Sequence, residues 1–151
     1  MRELTDTEKS IRDEMLQNFL SLQGEKSPVL EEFLFHLGIP PHLEEIPSLI
    51  DDFHLVMQDQ VLGQDDISWL LPRIGYFIGD FFAQKFGGKW LLCQIPDTKF
   101  FLRYVIGDFT EVTNSSAMLD PLLVAYEFIV TEAPRNLIKL IAEAEDELNS
   151  A

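Results

Sequence analysis

The stretch that decides the fold runs from Gln64 to Trp90, QDDISWLLPRIGYFIGDFFAQKFGGKW. Its large apolar residues recur at the three- and four-residue spacing of a helix, and the pair Gly87-Gly88 is a typical helix end. The periodic positions are Trp69, Leu70, Ile74, Ile78, Phe81 and Phe82. The pattern predicts one long helix from about Gln64 to Gly87, with Pro72 in its first turns, where it shifts the start or kinks the helix.

Two glycines, Gly75 and Gly79, lie four residues apart on this predicted helix. Each costs roughly 0.5–1 kcal/mol relative to alanine in a helix interior. Because residues at this spacing share one face, the pair predicts a bare stripe where another element approaches closely. The same spacing occurs in membrane helix dimers, but this segment is too charged and polar to span a bilayer.

A β-hairpin is predicted directly after the long helix. Its strands are Lys89–Ile95 and Lys99–Ile106, and residues 96–98 (Pro-Asp-Thr) have turn chemistry. Both faces of the hairpin are largely apolar, so we expect a sheet that helices or a second subunit cover on both sides. Residues 107–108 (Gly-Asp) predict another turn, and residues 109–113 a third strand.

Helices are expected on both sides of this central region. Upstream they are predicted at about Thr7–Leu22, Val29–Leu37 and Ser48–Gln60. Thr5 and Glu8 form a potential capping box for the first, and Gly24 is expected to end it. Ser27 and Pro28 have the N-cap and N1 pattern that starts a second helix. Downstream, Asp120-Pro121 starts one helix by the same pattern, and Pro134 is expected to start the last.

These elements predict an α+β fold in which several helices pack on a small antiparallel sheet, with the hairpin at about residues 89–106. The 151 residues fit a single domain, residues 1–151. Within it we distinguish an acidic helical part, residues 1–63, from a helix–hairpin–helix part, residues 64–151.

The chain is strongly acidic, with a net charge of −15. Residues 1–66 carry 15 acidic and 4 basic side chains, and residues 67–151 carry 11 and 7. Such a field repels phosphate backbones and anionic lipids, so we expect neither nucleic-acid nor membrane binding. It favours a basic protein partner. With no secretory signal pattern and a single cysteine, we expect a cytoplasmic protein.

Catalytic motifs are not apparent. Cys93 lies among apolar residues of a predicted strand and is interpreted as a small buried hydrophobe rather than a nucleophile. The pair Gly87-Gly88 follows a helix and precedes a strand, the reverse of the order in a phosphate-binding loop. We therefore expect no cofactor and favour a non-enzymatic protein.

A metal site is the alternative hypothesis. Glu32 and His36 are four residues apart on one predicted helix, and Asp51 and His54 are three apart on another. Each pair therefore shares a helix face. If the two helices met, the four side chains could bind a divalent ion, as facing helices do in helix-bundle metalloproteins.

Arg103 carries a positive charge on an otherwise apolar predicted strand. We expect it to pair with an acid such as Asp80 or Glu127, or to point into a pocket. A pairing of this kind would lower the pKa of the carboxyl group.

Two segments, LPRIGYFIGD at residues 71–80 and FGGKW at residues 86–90, together resemble a pattern in small acidic bacterial proteins of unknown function. In that pattern a glycine-x-x-x-glycine-acid helix precedes a strand that starts glycine-glycine-x-tryptophan. The resemblance covers about a quarter of the chain. Some proteins of this kind lie near toxin and immunity loci, so it implies a bacterial, non-enzymatic protein.

The function expected from these observations is a protein-interaction module, immunity-like or adaptor. Asp51, Asp52, Asp65 and Asp66 are the candidate contact residues, because acidic surfaces steer basic partners. Trp69 is either an aromatic anchor for the partner or a core residue. A further alternative is a homo-oligomer, such as a homodimer, in which the two-faced hairpin completes a neighbour's sheet.

Overall fold

The computed structural model describes residues 2–114 and 116–150. They form five α-helices and a two-stranded antiparallel sheet, which confirms the α+β class, with helix predominating. The helices are α1 (Asp6–His36), α2 (Ile50–Met57), α3 (Gln64–Phe86), α4 (Pro121–Val130) and α5 (Leu137–Ser150). The strands are β1 (Lys89–Leu92) and β2 (Tyr104–Gly107), and a 3₁₀ segment, Leu43–Leu49, precedes α2.

Helix α1 is one continuous helix where the sequence predicted two. The capping box is confirmed, because Thr5 Oγ1 accepts the Glu8 amide at 3.1 Å and Glu8 Oε1 accepts the Thr5 amide at 2.9 Å. The predicted stop at Gly24 and the predicted restart at Pro28 are wrong, since both residues lie inside the helix. Proline removes the hydrogen bond to the carbonyl four residues earlier. Here that carbonyl belongs to Gly24, which is exposed, so water can replace the lost hydrogen bond and the helix continues through Pro28.

The segment between α1 and α3 differs from the single predicted helix Ser48–Gln60. It divides into the 3₁₀ segment and the shorter α2. The Gln84 side chain in α3 holds the 3₁₀ segment at two points. Its Oε1 accepts the Ile46 amide at 2.7 Å, and its Nε2 donates to the Leu43 carbonyl at 2.6 Å. Tertiary hydrogen bonds thus determine this conformation.

Helix α3 has the predicted bounds, and its two glycines have the predicted role. It ends where Gly87 adopts a left-handed conformation, with φ 67°. A Cβ atom on Gly75 would overlap the Leu122 side chain of α4, and one on Gly79 would overlap the Trp90 indole of β1. The glycine stripe therefore lets both α4 and the sheet approach α3.

The hairpin is present, but its strands are shorter than predicted. Trp90 pairs with Ile106, while residues 93–103 form turns in which Asp97 and Leu102 have positive φ. The predicted third strand at residues 109–113 is absent from the described residues. Asp108 has a φ of 51° and redirects the chain, so that Leu119 instead forms a single β-bridge with Ile106.

The two C-terminal helices begin by different means. Helix α4 starts as predicted, with the Asp120 carboxylate accepting the Leu122 and Leu123 amides at 3.0 and 3.1 Å. The predicted start of the last helix at Pro134 is wrong, because α5 begins at Leu137. Asn136 Oδ1 accepts the Lys139 amide at 2.9 Å and so caps α5 from just before its first residue.

One hydrophobic cluster joins the part at residues 1–63 to the part at residues 64–151. It contains buried side chains from the second half of α1, from α2 and α3, from the sheet and from α4 and α5. Both faces of the sheet are covered within the chain, since the paired Trp90 and Ile106 on one face and Val105 on the other are buried. Cys93, just after β1, is also buried, as its apolar neighbours predicted.

Candidate interaction surface

The four candidate aspartates are exposed but do not form one patch. Asp65 and Asp66 lie in the first turn of α3. Asp51 lies beside Phe81 near the other end of α3. At a rise of 1.5 Å per residue, Asp65 and Phe81 are separated by about 24 Å along α3, and Asp51 is therefore far from Asp65. The Asp66 carboxylate also accepts the Gly63 amide at 2.8 Å, so it has a structural role at the start of α3.

Trp69 is partly packed and partly exposed, with 48% of its surface accessible. One edge packs against Phe33 of α1, with the ring centroids 5.7 Å apart. The guanidinium of Arg73 lies over the indole at 4.0 Å from its centroid. The residue thus combines a structural contact with an accessible aromatic surface.

The potential metal ligands remain as two separate features. Glu32 and His36 approach to 3.6 Å on the exposed surface of α1. His54 Nδ1 instead accepts the Leu137 amide at 3.3 Å, which fastens the start of α5 to α2. Within the described ranges, no group of three or more histidine, cysteine, aspartate or glutamate side chains could hold a metal ion.

The ion pairs expected for Arg103 are replaced by another. Its guanidinium lies 3.3 Å from the Asp120 carboxylate rather than against Asp80 or Glu127. Asp80 is buried and already accepts three hydrogen bonds, two from Lys26 at 2.8 and 2.9 Å and one from the Trp90 indole at 2.9 Å. This network ties α1, α3 and β1 together.

An ion pair at the N-terminus perturbs one carboxyl group. Arg2 donates two hydrogen bonds of 2.8 Å to Glu8, and this contact lowers the pKa of Glu8 to about 2. Arg2 also donates to Asp97 at 2.8 Å and so links the start of α1 to the hairpin turn. Burial raises the pKa of Tyr104, which packs against Phe19.

The outer face of α4 is an apolar surface that the sequence reasoning missed. Leu123, Tyr126 and Val130 are 45%, 47% and 50% exposed, and their spacing places them on one face. The opposite face of α4 is buried and includes Phe128 and Ile129. A helix that is apolar all round is usually buried, so an exposed apolar face indicates a surface that another molecule can cover. The signal was present in PLLVAYEFIV at residues 121–130, which has one charged residue.

A groove between α4 and α5 adjoins this face. It consists of two cavities of about 240 and 270 Å³ that share Leu140 and Glu143. The hairpin turn, with Lys99 and Phe100, closes one end, and the loop before α5 closes the other. Apolar side chains from both helices line it: Leu123, Val124, Phe128, Leu140, Ala144 and Leu148.

Carboxylates border the groove on both sides. Glu127 extends from α4, and Glu143 and Glu147 extend from α5. All three are exposed, and none forms an ion pair with another part of the described chain. Four basic residues also line the groove, with Lys99 and Lys139 at its two ends. Arg103 is paired with Asp120, and Arg135 is buried and donates to the Gln60 carbonyl at 2.7 Å. The arrangement can accept an apolar ligand whose flanks are positively charged.

No protein-family model, curated protein or solved structure matches the chain. Across residues 2–114 and 116–150, none of the helices combines the length and the apolarity needed to cross a bilayer.

Proposed function

We propose that this protein is a non-enzymatic interaction module, immunity-like or adaptor, that binds another protein through α4 and the α4–α5 groove. The observation that supports the proposal is the uncovered apolar face of α4. Leu123, Tyr126 and Val130 are each about half exposed, although they belong to a helix whose other face is in the core. Tyrosine is among the residue types that dominate the binding energy of protein interfaces, and Leu123 and Val130 extend the apolar area around Tyr126.

The charge of the chain defines the kind of partner. A net charge of −15 and the carboxylates along the groove favour a basic protein and disfavour an acidic one. The exposed candidates Asp51, Asp52 and Asp65 lie outside the groove lining and would act mainly by steering the partner during encounter. Trp69 is a second candidate contact, away from the groove lining.

The proposal can be tested by affinity capture from a native lysate of the source cells. We expect the wild-type protein to retain a basic protein that dissociates as salt is raised. The variant Leu123→Asp/Val130→Asp should lose it. Leu20→Asp/Leu55→Asp is the matched control, because both residues are exposed apolar positions outside the groove.

The captured protein should then be identified by mass spectrometry, purified and titrated against all three forms. Circular dichroism should confirm that the variants retain their helix content. Equal binding by the wild type and the α4 variant would refute the proposal.

A further inference from the structure

We infer that the ligand of the α4–α5 groove is a basic amphipathic helix of about three turns. This inference rests on the proposed function, and it specifies the partner segment that the groove recognises. It depends on three properties of the groove: its shape, its length and the position of its charges.

The shape of the groove suits a helix. Its two walls are packed helices, and the furrow between two such helices is where a third helix lies in a helical bundle. The floor is apolar, with Val124 of α4 facing Leu140 and Ala144 of α5. An amphipathic helix can therefore lay one apolar face along it, as in other helix-in-groove complexes.

The length of the groove sets the length of the ligand. Along α5 its lining extends from Asn136 to Leu148. At 1.5 Å per residue this distance is about 18 Å, which is the length of about three helical turns. The hairpin turn at one end and the loop before α5 at the other would block a straight helix longer than this.

The charges specify basic flanks. Glu143 and Glu147 are one turn apart on α5, about 6 Å along the axis, so two cations four residues apart on a parallel or antiparallel helix can each face one carboxylate. Glu127 on the opposite wall can bind a cation on the other flank. Among the basic residues of the lining, Arg103 is occupied by Asp120, Arg135 is buried against the Gln60 carbonyl, and Lys99 and Lys139 mark the ends. The positive charge of the ligand is therefore needed in its middle, where the free carboxylates lie.

The charges also make a second copy of this chain a poor ligand for the groove. Each copy carries a charge of −15, and α5 presents Glu143, Asp146 and Glu147 on its exposed side. Pairing two such surfaces would bring like charges together, which opposes association.

The test uses a fluorescein-labelled, stapled synthetic helix of about 12 residues, with leucines at helical spacing and lysines on both flanks. Fluorescence anisotropy at low salt measures its affinity. We expect Glu143→Lys/Glu147→Lys to weaken binding at least about tenfold, and the milder Glu143→Gln/Glu147→Gln to weaken it in the same direction. Glu14→Lys/Glu31→Lys is the matched control, because it makes the same change in net charge at two exposed positions of α1 outside the groove, and it should weaken binding less than about threefold.

Two further peptides separate shape from charge. A glutamate-flanked helix should not bind, and a lysine-flanked peptide with a central proline should bind at least about tenfold more weakly than the stapled helix. If the control variant weakens binding as much as the groove variant, attraction is non-specific and the inference is overturned. Equal binding of the proline peptide would overturn the helical ligand.

The same experiments distinguish this inference from the proposed function. If the lysate partner requires Leu123 and Val130 but the synthetic helix does not bind, the inference fails and the interaction module stands. If Leu123→Asp/Val130→Asp still retains the lysate partner and the synthetic helix does not bind the wild type, both fail. Sedimentation that shows a dimer dissociated by Leu123→Asp/Val130→Asp would identify a second copy as the occupant and overturn the inference.

Discussion

Helices α3 and α4 pack against each other and are both rich in large apolar side chains, but only one of them is covered. Helix α3 buries Phe77 and Ile78 completely, because α1, α2, α4 and the sheet surround it. Helix α4 covers part of α3 and leaves Tyr126 and Val130 about half exposed. A helix rich in large apolar side chains therefore indicates a core position only when enough neighbouring elements enclose it.

The covering of α3 is specific as well as extensive. The Phe53 ring of α2 stacks on Phe77 at 4.0 Å between centroids, and the Trp90 indole fills the space above Gly79. Asp80 adds a buried charged contact to Lys26. No comparable set of contacts covers the outer face of α4 within the described chain. For this reason our proposal places partner binding on α4, whereas α3 contributes to stability.

The largest expected contrast is between truncations on the two helices. Ile78→Ala should lower the free energy of unfolding by about 3 kcal/mol, because it leaves a cavity in the core. Val130→Ala should change it by less than about 0.5 kcal/mol, because the side chain is half exposed. Urea denaturation followed by circular dichroism measures both. A large loss for Val130→Ala would mean that the face of α4 belongs to the core.

A smaller contrast distinguishes a packed glycine from an open one. Gly79→Ala should destabilise the protein by about 2 kcal/mol, because the added methyl group overlaps the Trp90 indole. Gly24→Ala should stabilise it by roughly 0.5–1 kcal/mol, because no atom lies within 4 Å of the new Cβ and alanine favours the helix. Thermal unfolding of both variants beside the wild type tests this. The two substitutions must change the stability in opposite directions, and a stabilising Gly79→Ala would contradict the close approach of β1.

The smallest effect concerns an exposed ion pair, in contrast to the buried Lys26–Asp80 pair. Arg2→Ala should raise the pKa of Glu8 from about 2 towards its ordinary value of 4.5. A carboxyl group whose pKa is lowered in the folded state stabilises the fold at pH values above its ordinary pKa. This stabilisation is lost as the pH falls through the folded-state pKa. The wild type should therefore lose this small contribution between pH 4.5 and about 2, and the variant should lose less, because only the capping hydrogen bonds with Thr5 still lower the Glu8 pKa.

Carboxyl-carbon NMR titration measures the Glu8 pKa directly. Arg103→Ala is the control, because its guanidinium binds Asp120 at the other end of the hairpin region and should leave Glu8 unchanged. An unaltered Glu8 pKa in Arg2→Ala would show that the contact does not persist in solution.

Only part of the candidate site could be predicted from the sequence. The acidic excess and the exposure of Asp65 are properties that composition predicts well. The separation of Asp51 from Asp65 was not predictable, because it depends on which end of α3 packs against α2. The groove was missed because its two walls are separate in sequence, and Glu127 faces Glu143 only after α4 and α5 have packed.

Features with local causes were predictable from the sequence alone. The capping box at Thr5, the Asp120-Pro121 start, the left-handed Gly87 end and the glycine stripe each follow from the chemistry of a few neighbouring residues. Hydrogen bonds and steric limits between such residues operate in any context. They therefore placed most of the helices and the hairpin before any packing was known.

The tertiary structure alone decided which breaks the chain tolerates and which apolar faces are covered. Helix α1 passes through Gly24 and Pro28 because Phe33 and Leu34 are buried beyond them, and the exposed glycine carbonyl can remain solvated. The face of α4 stays open because no element of the described chain packs on it. Both outcomes depend on long-range burial, since its free energy is gained only when distant segments meet.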